Sequence, residues 1–132
     1  MTPELYWTIL TALFTSVLWA PHILMRIIEM KPYLAFRDPL HDAPTQAPWA
    51  QRAIRAHTNA VENLIIFAVF AITIQVLNMS TELSATAAGL YFFSRVAHYV
   101  VYVAGVPWAR TPIYLVGFGC QMVLAGTLLG WF

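Results

Sequence analysis

The chain has 132 residues, of which 60% are hydrophobic and 10% are charged, and its formal net charge is +1. Soluble domains carry about 25% charged residues, so this composition excludes an ordinary soluble domain and a disordered chain. A nearly neutral chain also lacks the basic face of a nucleic-acid-binding protein, and we expect no nucleic-acid partner. The single cysteine excludes an intrachain disulfide. The sequence therefore predicts one small integral membrane domain over residues 1–132.

Four stretches are long and apolar enough to cross a bilayer, which requires roughly 20 mostly apolar residues. They cover residues 5–28, 48–77, 83–106 and 113–132. The last three are joined by short connections and should be antiparallel neighbours, and the absence of an alternating apolar pattern argues against a β-barrel. The predicted fold class is all-α integral membrane, a four-transmembrane-helix bundle.

The first span is expected to be a permanent anchor rather than a signal peptide. Thr2-Pro3-Glu4 precedes its apolar run in place of a basic segment. Pro21 should kink this span, because proline lacks the N–H of a regular helix.

Basic residues lie on one side of the predicted topology. Most of them flank the first connection, one lies in the third, and none lies in the second: Arg26, Lys31, Arg37, Arg52 and Arg55 around the first, and Arg110 in the third. Since cytoplasmic loops carry the excess of lysine and arginine, both termini should face the non-cytoplasmic side. A multi-pass protein of a bacterial inner membrane is the expected localisation.

The second span begins with an unusually polar face. Arg52, Arg55, Asn59 and Glu62 are spaced by 3, 4 and 3 residues, which places all four on one side of a helix. His57 lies off this stripe. Lipid-facing arginines can extend to phosphate groups, but that explanation suits Asn59 and Glu62 poorly.

The third span repeats the pattern with Tyr91, Arg95, His98 and Tyr102, spaced by 4, 3 and 4 residues. An unpaired arginine in the middle of a bilayer is costly. Glu62 is the one acidic residue at comparable depth, so we expect it to pair with Arg95, within the protomer or across a subunit boundary. Such a pair could also be purely structural, holding helices together.

The polar faces together predict a basic pocket near the cytoplasmic interface. Arginine suits carboxylates and phosphates through bidentate contacts, whereas Glu62 and Asn59 suit an ammonium or an amide. A ligand with carboxylates and an amine fits this set, and glutathione is one example. A phospholipid head group is another.

The same residues carry a family resemblance. The segment Arg52-Ala-Ile-Arg55-Ala-His57-Thr-Asn59-Ala-Val-Glu62-Asn63 closely resembles the signature of the MAPEG superfamily, the membrane-associated proteins in eicosanoid and glutathione metabolism. Arg95-Val-Ala-His98-Tyr-Val-Val-Tyr102 resembles the third-helix motif of that family, especially of its prostaglandin E synthase-like members. The chain length and the long first loop are also similar to those of short bacterial members.

The resemblance implies a homotrimer of four-helix protomers that binds glutathione, as co-substrate, between neighbouring subunits. Arg110 matches the arginine near the glutathione sulfur, where it would stabilise the thiolate, and it is the expected catalytic residue. The expected glutathione-binding residues are Arg26, Arg55, Asn59, Glu62, Arg95, His98, Tyr102 and Tyr114.

The function implied by this resemblance is a glutathione-dependent transferase or peroxidase that acts on hydrophobic electrophiles or lipid hydroperoxides. Its partners would be membrane lipids and a hydrophobic small-molecule substrate that arrives through the bilayer. The alternative is a non-catalytic lipid-binding scaffold or a small subunit of a larger membrane complex. We expect no metal site, because no two histidines have the i, i+4 spacing, and we expect Cys120 to be a packing residue.

Overall fold

The computed structural model describes residues 1–30 and 45–132. These residues form helices joined by short turns, without a strand in either range. In chain order the helices are α1 Pro3–Val17, α2 Trp19–Met30, α3 Pro48–Leu77, α4 Glu82–Ala104 and α5 Pro107–Leu129.

Helices α1 and α2 form one long segment that is interrupted at Leu18. The interruption lies where Pro21 removes a backbone hydrogen bond, because its missing N–H would have donated to the carbonyl of Val17. Leu18 N instead donates to Thr15 O at 3.2 Å, which tightens the last turn of α1.

In the described part of the chain, three segments are long and apolar enough to cross a membrane: Pro3–Met30, Pro48–Leu77 and Pro107–Leu129. The chain is therefore an integral membrane protein. Helix α4 has 23 residues, enough to span a bilayer at about 1.5 Å per residue, but it is not among these three segments. Arg95 and His98 lower its hydropathy, and its membrane crossing stays a prediction, as does the count of four spans.

The apolar core lies between α3, α4 and α5. Phe67 of α3 stacks on Tyr91 of α4 with ring centroids 3.8 Å apart and planes 6° apart. Small residues around this stack allow the helices to approach closely. The buried cluster consists of Phe67, Ala71, Ile74, Ala87, Ala88, Tyr91, Cys120 and Leu124.

Two tight turns make α3, α4 and α5 sequential neighbours. Asn78, in a left-handed conformation with φ 55°, caps the C-terminus of α3. Thr81 and Ser84 form a reciprocal capping box at the start of α4. Gly105 caps the C-terminus of α4 with φ 75°, a backbone conformation that glycine adopts without steric cost. The end of α4 and the beginning of α5 therefore lie side by side.

Helix α5 begins at Pro107, six residues before the predicted span starting at 113. Proline suits the first helical position because its N–H would have no intrahelical partner there. The predicted span was based on hydropathy alone, and it therefore placed residues 107–112 in the preceding loop. Arg110 consequently lies in the first turn of a helix, which fixes its position relative to α4.

A buried polar network ties the beginning of α1 to the turn between α3 and α4. The Glu4 carboxylate, 0% exposed, accepts hydrogen bonds from Ser80 Oγ and Ser84 Oγ. Thr2 N donates to Gln75 Oε1 at 2.6 Å. The two serine hydroxyl groups satisfy the buried Glu4 carboxylate, which without hydrogen bonds would destabilise the fold.

Candidate functional site

A polar cavity of about 160 Å³ opens where α3, α4 and α5 meet. Helix α3 contributes one residue, α4 two, and the first turns of α5 three. The lining residues are Asn59, His98, Tyr102, Arg110, Thr111 and Tyr114. Five of these six are residues that the sequence nominated for a glutathione site, and Thr111 directly follows Arg110.

Arg95 is buried behind this cavity with 3% of its surface exposed. Its Nη1 donates to Asn59 Oδ1 at 3.4 Å. The guanidinium carbon lies 5.6 Å from the ring centroid of Tyr91 and 5.4 Å from that of Tyr114, so two aromatic rings contribute cation–π attraction. Within residues 1–30 and 45–132, Nε and Nη2 have no hydrogen-bond partner.

The predicted pairing of Arg95 with Glu62 is not formed within the described part of the protomer. Arg95 contacts the Asn59 amide, whereas Glu62, one turn further along α3, is exposed on the protomer surface. The alternative form of this prediction, a pair across a subunit boundary, stays a prediction.

Gly117 of α5 makes room for the Arg95 guanidinium. A Cβ at position 117 would lie 2.6 Å from Arg95 Nη2 and 3.0 Å from Arg95 Cζ. Gly117 could not be recognised as a site residue from the sequence, because the position of a glycine on a helix does not reveal which side chain packs against it. Tyr91, which the sequence indicated only by its spacing, contacts Arg95 together with Asn59 and Tyr114.

Arg110 lies over the ring of Tyr102, with its guanidinium carbon 4.9 Å from the ring centroid. His98 is 4% exposed, and its ring lies 5.5 Å from that of Tyr102 and 6.0 Å from that of Tyr114. Helices α4 and α5 thereby place the exposed guanidinium of Arg110 beside a row of aromatic and imidazole rings. An anionic ligand atom beside Arg110 would gain charge stabilisation near the bilayer interface.

A second cavity of about 180 Å³ lies on the other side of Tyr102 and Arg110, at the turn from α4 to α5. Arg52 of α3 extends to this cavity and caps the end of α4: its Nε donates to Val103 O at 2.9 Å. A Cβ on Gly105 would lie 3.1 Å from Arg52 Cζ, so the glycine lets the guanidinium approach the helix end. Its lining includes Arg52, Tyr102, Gly105, Val106, Pro107 and Arg110.

Four of the nominated residues line neither cavity: Arg95, which is buried behind the first cavity, and Arg26, Arg55 and Glu62. Arg55 and Glu62 are exposed on α3, on the same face as Asn59, and Arg26 is half-buried on α2. The structure therefore brings Asn59, Arg95, His98, Tyr102, Arg110 and Tyr114 together in one protomer.

Histidine, cysteine and acidic residues do not assemble into a metal-sized cluster in the part of the chain that the structure describes. The rings of His22 and His57 lie 5.5 Å apart between α2 and α3, without a third such side chain beside them. Cys120 is buried in the core cluster.

The helical fold, the apolar spans and the buried arginine define an integral membrane protein with a basic polar site between its helices. The sequence model of the MAPEG family matches residues 5–130, nearly the whole chain, and the protein belongs to this family. The family is associated in general with glutathione-related membrane functions. A comparison with curated proteins gives no match.

Proposed function

We propose that the protein is a glutathione-dependent membrane transferase or peroxidase that acts on hydrophobic electrophiles or lipid hydroperoxides. The observation that carries the proposal is the cavity between α3, α4 and α5, where Arg110 lies over Tyr102 beside His98 and Asn59. Membership of the MAPEG family supports it, because the residues that line this cavity include those that the family motifs nominate.

Arg110 is the proposed catalytic residue. The reactive form of glutathione is the thiolate, and a guanidinium beside the sulfur favours that anion over the neutral thiol. In the transferase reaction the thiolate attacks an electrophilic carbon, a C–S bond forms, and the leaving group departs or the adduct takes up a proton. In the peroxidase reaction the thiolate attacks the terminal oxygen of the hydroperoxide, and an S–O bond forms as the O–O bond breaks. The products are the sulfenic acid of glutathione and an alkoxide, which takes up a proton and leaves as the alcohol. A second glutathione then reduces the sulfenic acid, giving a disulfide and water.

Arg95 is proposed to bind a carboxylate of glutathione. The buried Arg95 guanidinium has no acidic partner among residues 1–30 and 45–132, which is energetically costly, and cation–π contacts with two tyrosines offset this cost in part. A glutathione carboxylate bound in the cavity beside Arg95 would supply the missing negative charge. Asn59 and Glu62 are proposed to take the amide and amino groups of the tripeptide.

The cavity in one protomer is too small for the whole ligand. Small-molecule pockets typically measure about 300–1,000 Å³, and this cavity measures about 160 Å³. Arg55 and Glu62, expected ligand contacts, are exposed next to it. A neighbouring subunit that covers this face would complete the site.

The position of Glu62 also supports an oligomeric state of the protein. It lies at the midpoint of the 30-residue helix α3, where an exposed carboxylate would face lipid in a monomer. Charged side chains at this depth almost always face the interior of a bundle or a partner. We propose the homotrimer that the resemblance implies, in a bacterial inner membrane with the site on the cytoplasmic side and both termini opposite.

Isothermal titration calorimetry with glutathione on detergent-purified protein tests the proposal. We expect saturable binding that is lost in Arg55→Ala and weakened in Arg110→Ala. Trp108→Ala is the matched control, because Trp108 is in the same helical turn as Arg110 and is 80% exposed. An intact oligomer that does not bind millimolar glutathione would contradict the proposal and favour a non-catalytic scaffold or subunit.

A further inference from the structure

Arg52 of α3 is an arginine beside the site to which the proposed glutathione chemistry gives no task. It does not line the first cavity, between α3, α4 and α5. Its Nε donates to Val103 O at 2.9 Å, across 51 positions of sequence. This carbonyl lies in the last turn of α4, where backbone carbonyls have no intrahelical donor. Arg52 therefore caps the C-terminus of α4 from a neighbouring helix.

The rest of this cap is made by the backbone. Two hydrogen bonds close it, from Gly105 N to Tyr102 O at 3.1 Å and from Val106 N to Val101 O at 3.0 Å. Gly105 also allows the arginine to approach, because a Cβ at this position would lie 3.1 Å from Arg52 Cζ. The turn is thus held by its own backbone and by one side chain from α3.

The turn that Arg52 caps leads directly into the helix that carries Arg110. Two residues separate the end of α4 from Pro107, the first residue of α5. Arg110 lies in the first turn of α5, with its guanidinium carbon 4.9 Å from the ring centroid of Tyr102. Arg52 and Arg110 also line the same second cavity. A displacement of the turn would therefore displace Arg110 relative to α4.

We propose that Arg52 is a positioning residue, whose Nε hydrogen bond to Val103 O holds the turn from α4 to α5 and thereby the guanidinium of Arg110. This inference rests on the proposed function and adds a residue that touches neither glutathione nor the hydrophobic substrate. A displacement of about 1 Å at a reacting group can cost roughly a hundredfold in rate. Loss of the hydrogen bond should thus lower kcat and leave glutathione affinity nearly unchanged.

Three replacements of Arg52 separate its hydrogen bond from its charge. Arg52→Met keeps an unbranched apolar side chain but has no donor. Arg52→Gln removes the charge and has an N–H donor the same number of bonds from Cα as arginine Nε. Arg52→Lys keeps the charge, but its ammonium group lies one bond further from the backbone.

The kinetic test follows glutathione consumption with cumene hydroperoxide by the detergent-purified oligomer. We expect Arg52→Met to lower kcat at least about tenfold, with a KM for glutathione near that of the wild-type protein. Arg52→Gln should recover most of the rate, because it restores the donor. A rate that follows the charge, with Arg52→Lys active and Arg52→Gln as slow as Arg52→Met, would overturn the proposal. A wild-type kcat in Arg52→Met would also overturn it.

Amide hydrogen exchange measures the turn itself, without glutathione. The amides of Gly105 and Val106 should exchange faster in Arg52→Met than in the wild-type protein and in Arg52→Gln. The amides of Asn78 and Met79, which close the equivalent cap of α3, are the control and should exchange equally in all variants. Equal exchange at Gly105 in all variants would contradict a positioning role. A wild-type protein without turnover would contradict the proposed function, whereas the exchange would still decide whether Arg52 holds the turn.

Discussion

Gly117 of α5 and Arg95 of α4 are in direct contact, and the glycine is the reason that the arginine can lie between its two tyrosines. A Cβ at position 117 would come within 2.6 Å of Arg95 Nη2 and 3.0 Å of Ser94 Oγ. The most buried cation of the site is thus positioned by the absence of a side chain on the neighbouring helix.

Replacement of this glycine should disturb the site. Gly117→Ala is expected to lower the stability of the protein by about 1–3 kcal/mol, the usual cost of overpacking, and to weaken glutathione binding. Thermal unfolding in detergent and calorimetry measure the two effects. Gly119→Ala is the matched control, because a Cβ there meets no atom within 4 Å. Stability and affinity that are equal in the two variants would contradict the positioning role of Gly117.

The Glu4 network should contribute to stability without contributing to ligand binding. Glu4→Ala leaves the hydroxyl groups of Ser80 and Ser84 without their acceptor, and we expect a loss of about 1.5–3 kcal/mol, typical of hydrogen bonds to a charged group. Glu82→Ala, an exposed residue in the first turn of α4, should cost about 0.5 kcal/mol. Similar unfolding temperatures for the two variants would count against the network.

Replacement of Arg110 should lower the catalytic rate and leave the assembly of the oligomer unchanged. We expect Arg110→Ala to lower kcat by about a hundredfold, the scale observed when one stabilising group is removed from a developing anion. Arg110→Lys keeps the charge and should recover part of the rate. Size-exclusion chromatography with light scattering should give the same oligomer for all three proteins. A variant that changes assembly but not turnover would contradict a catalytic Arg110.

Glu62 provides a test of the oligomer. Because it is exposed at the middle of α3, Glu62→Leu is expected to preserve the helix content of the protomer while changing the contact between subunits. Light scattering should show a smaller or mixed assembly, and circular dichroism should be unchanged. Val76→Leu, which changes an exposed apolar residue nearer the end of the same helix, is the control. An assembly in Glu62→Leu that has the same mass as in the wild-type protein would argue against a subunit contact at this residue.

The polar stripes could be predicted from the sequence because helical spacing alone places their residues on common faces. The spacing of Arg95, His98 and Tyr102 indicates that they share a face, and the structure places all three beside one cavity. The partner of Arg95 could not be predicted in this way. Whether it meets Asn59 or Glu62, one turn apart on α3, depends on how far the two helices rotate and slide against each other.

Other features depend on contacts between distant segments. From the sequence, Thr2-Pro3-Glu4 indicates only that the first span is an anchor rather than a signal peptide. In the structure, Glu4 forms hydrogen bonds with residues about 80 positions away, which no local pattern predicts. Arg52 was part of a polar stripe, but its hydrogen bond to Val103 depends on where α4 ends. The expected start of the last span followed hydropathy and thus missed the helix start at Pro107, which depends on the backbone geometry of proline.

The most direct test of the central claim is the ultraviolet difference absorbance of the glutathione thiolate, measured as glutathione is titrated into the detergent-purified protein. We predict a thiolate signal that saturates with the Kd found by calorimetry in the wild-type protein and is lost in Arg110→Ala at ligand concentrations that still fill the site. Bound glutathione without a thiolate signal in the wild-type protein, or an equal signal in Arg110→Ala, would contradict the account.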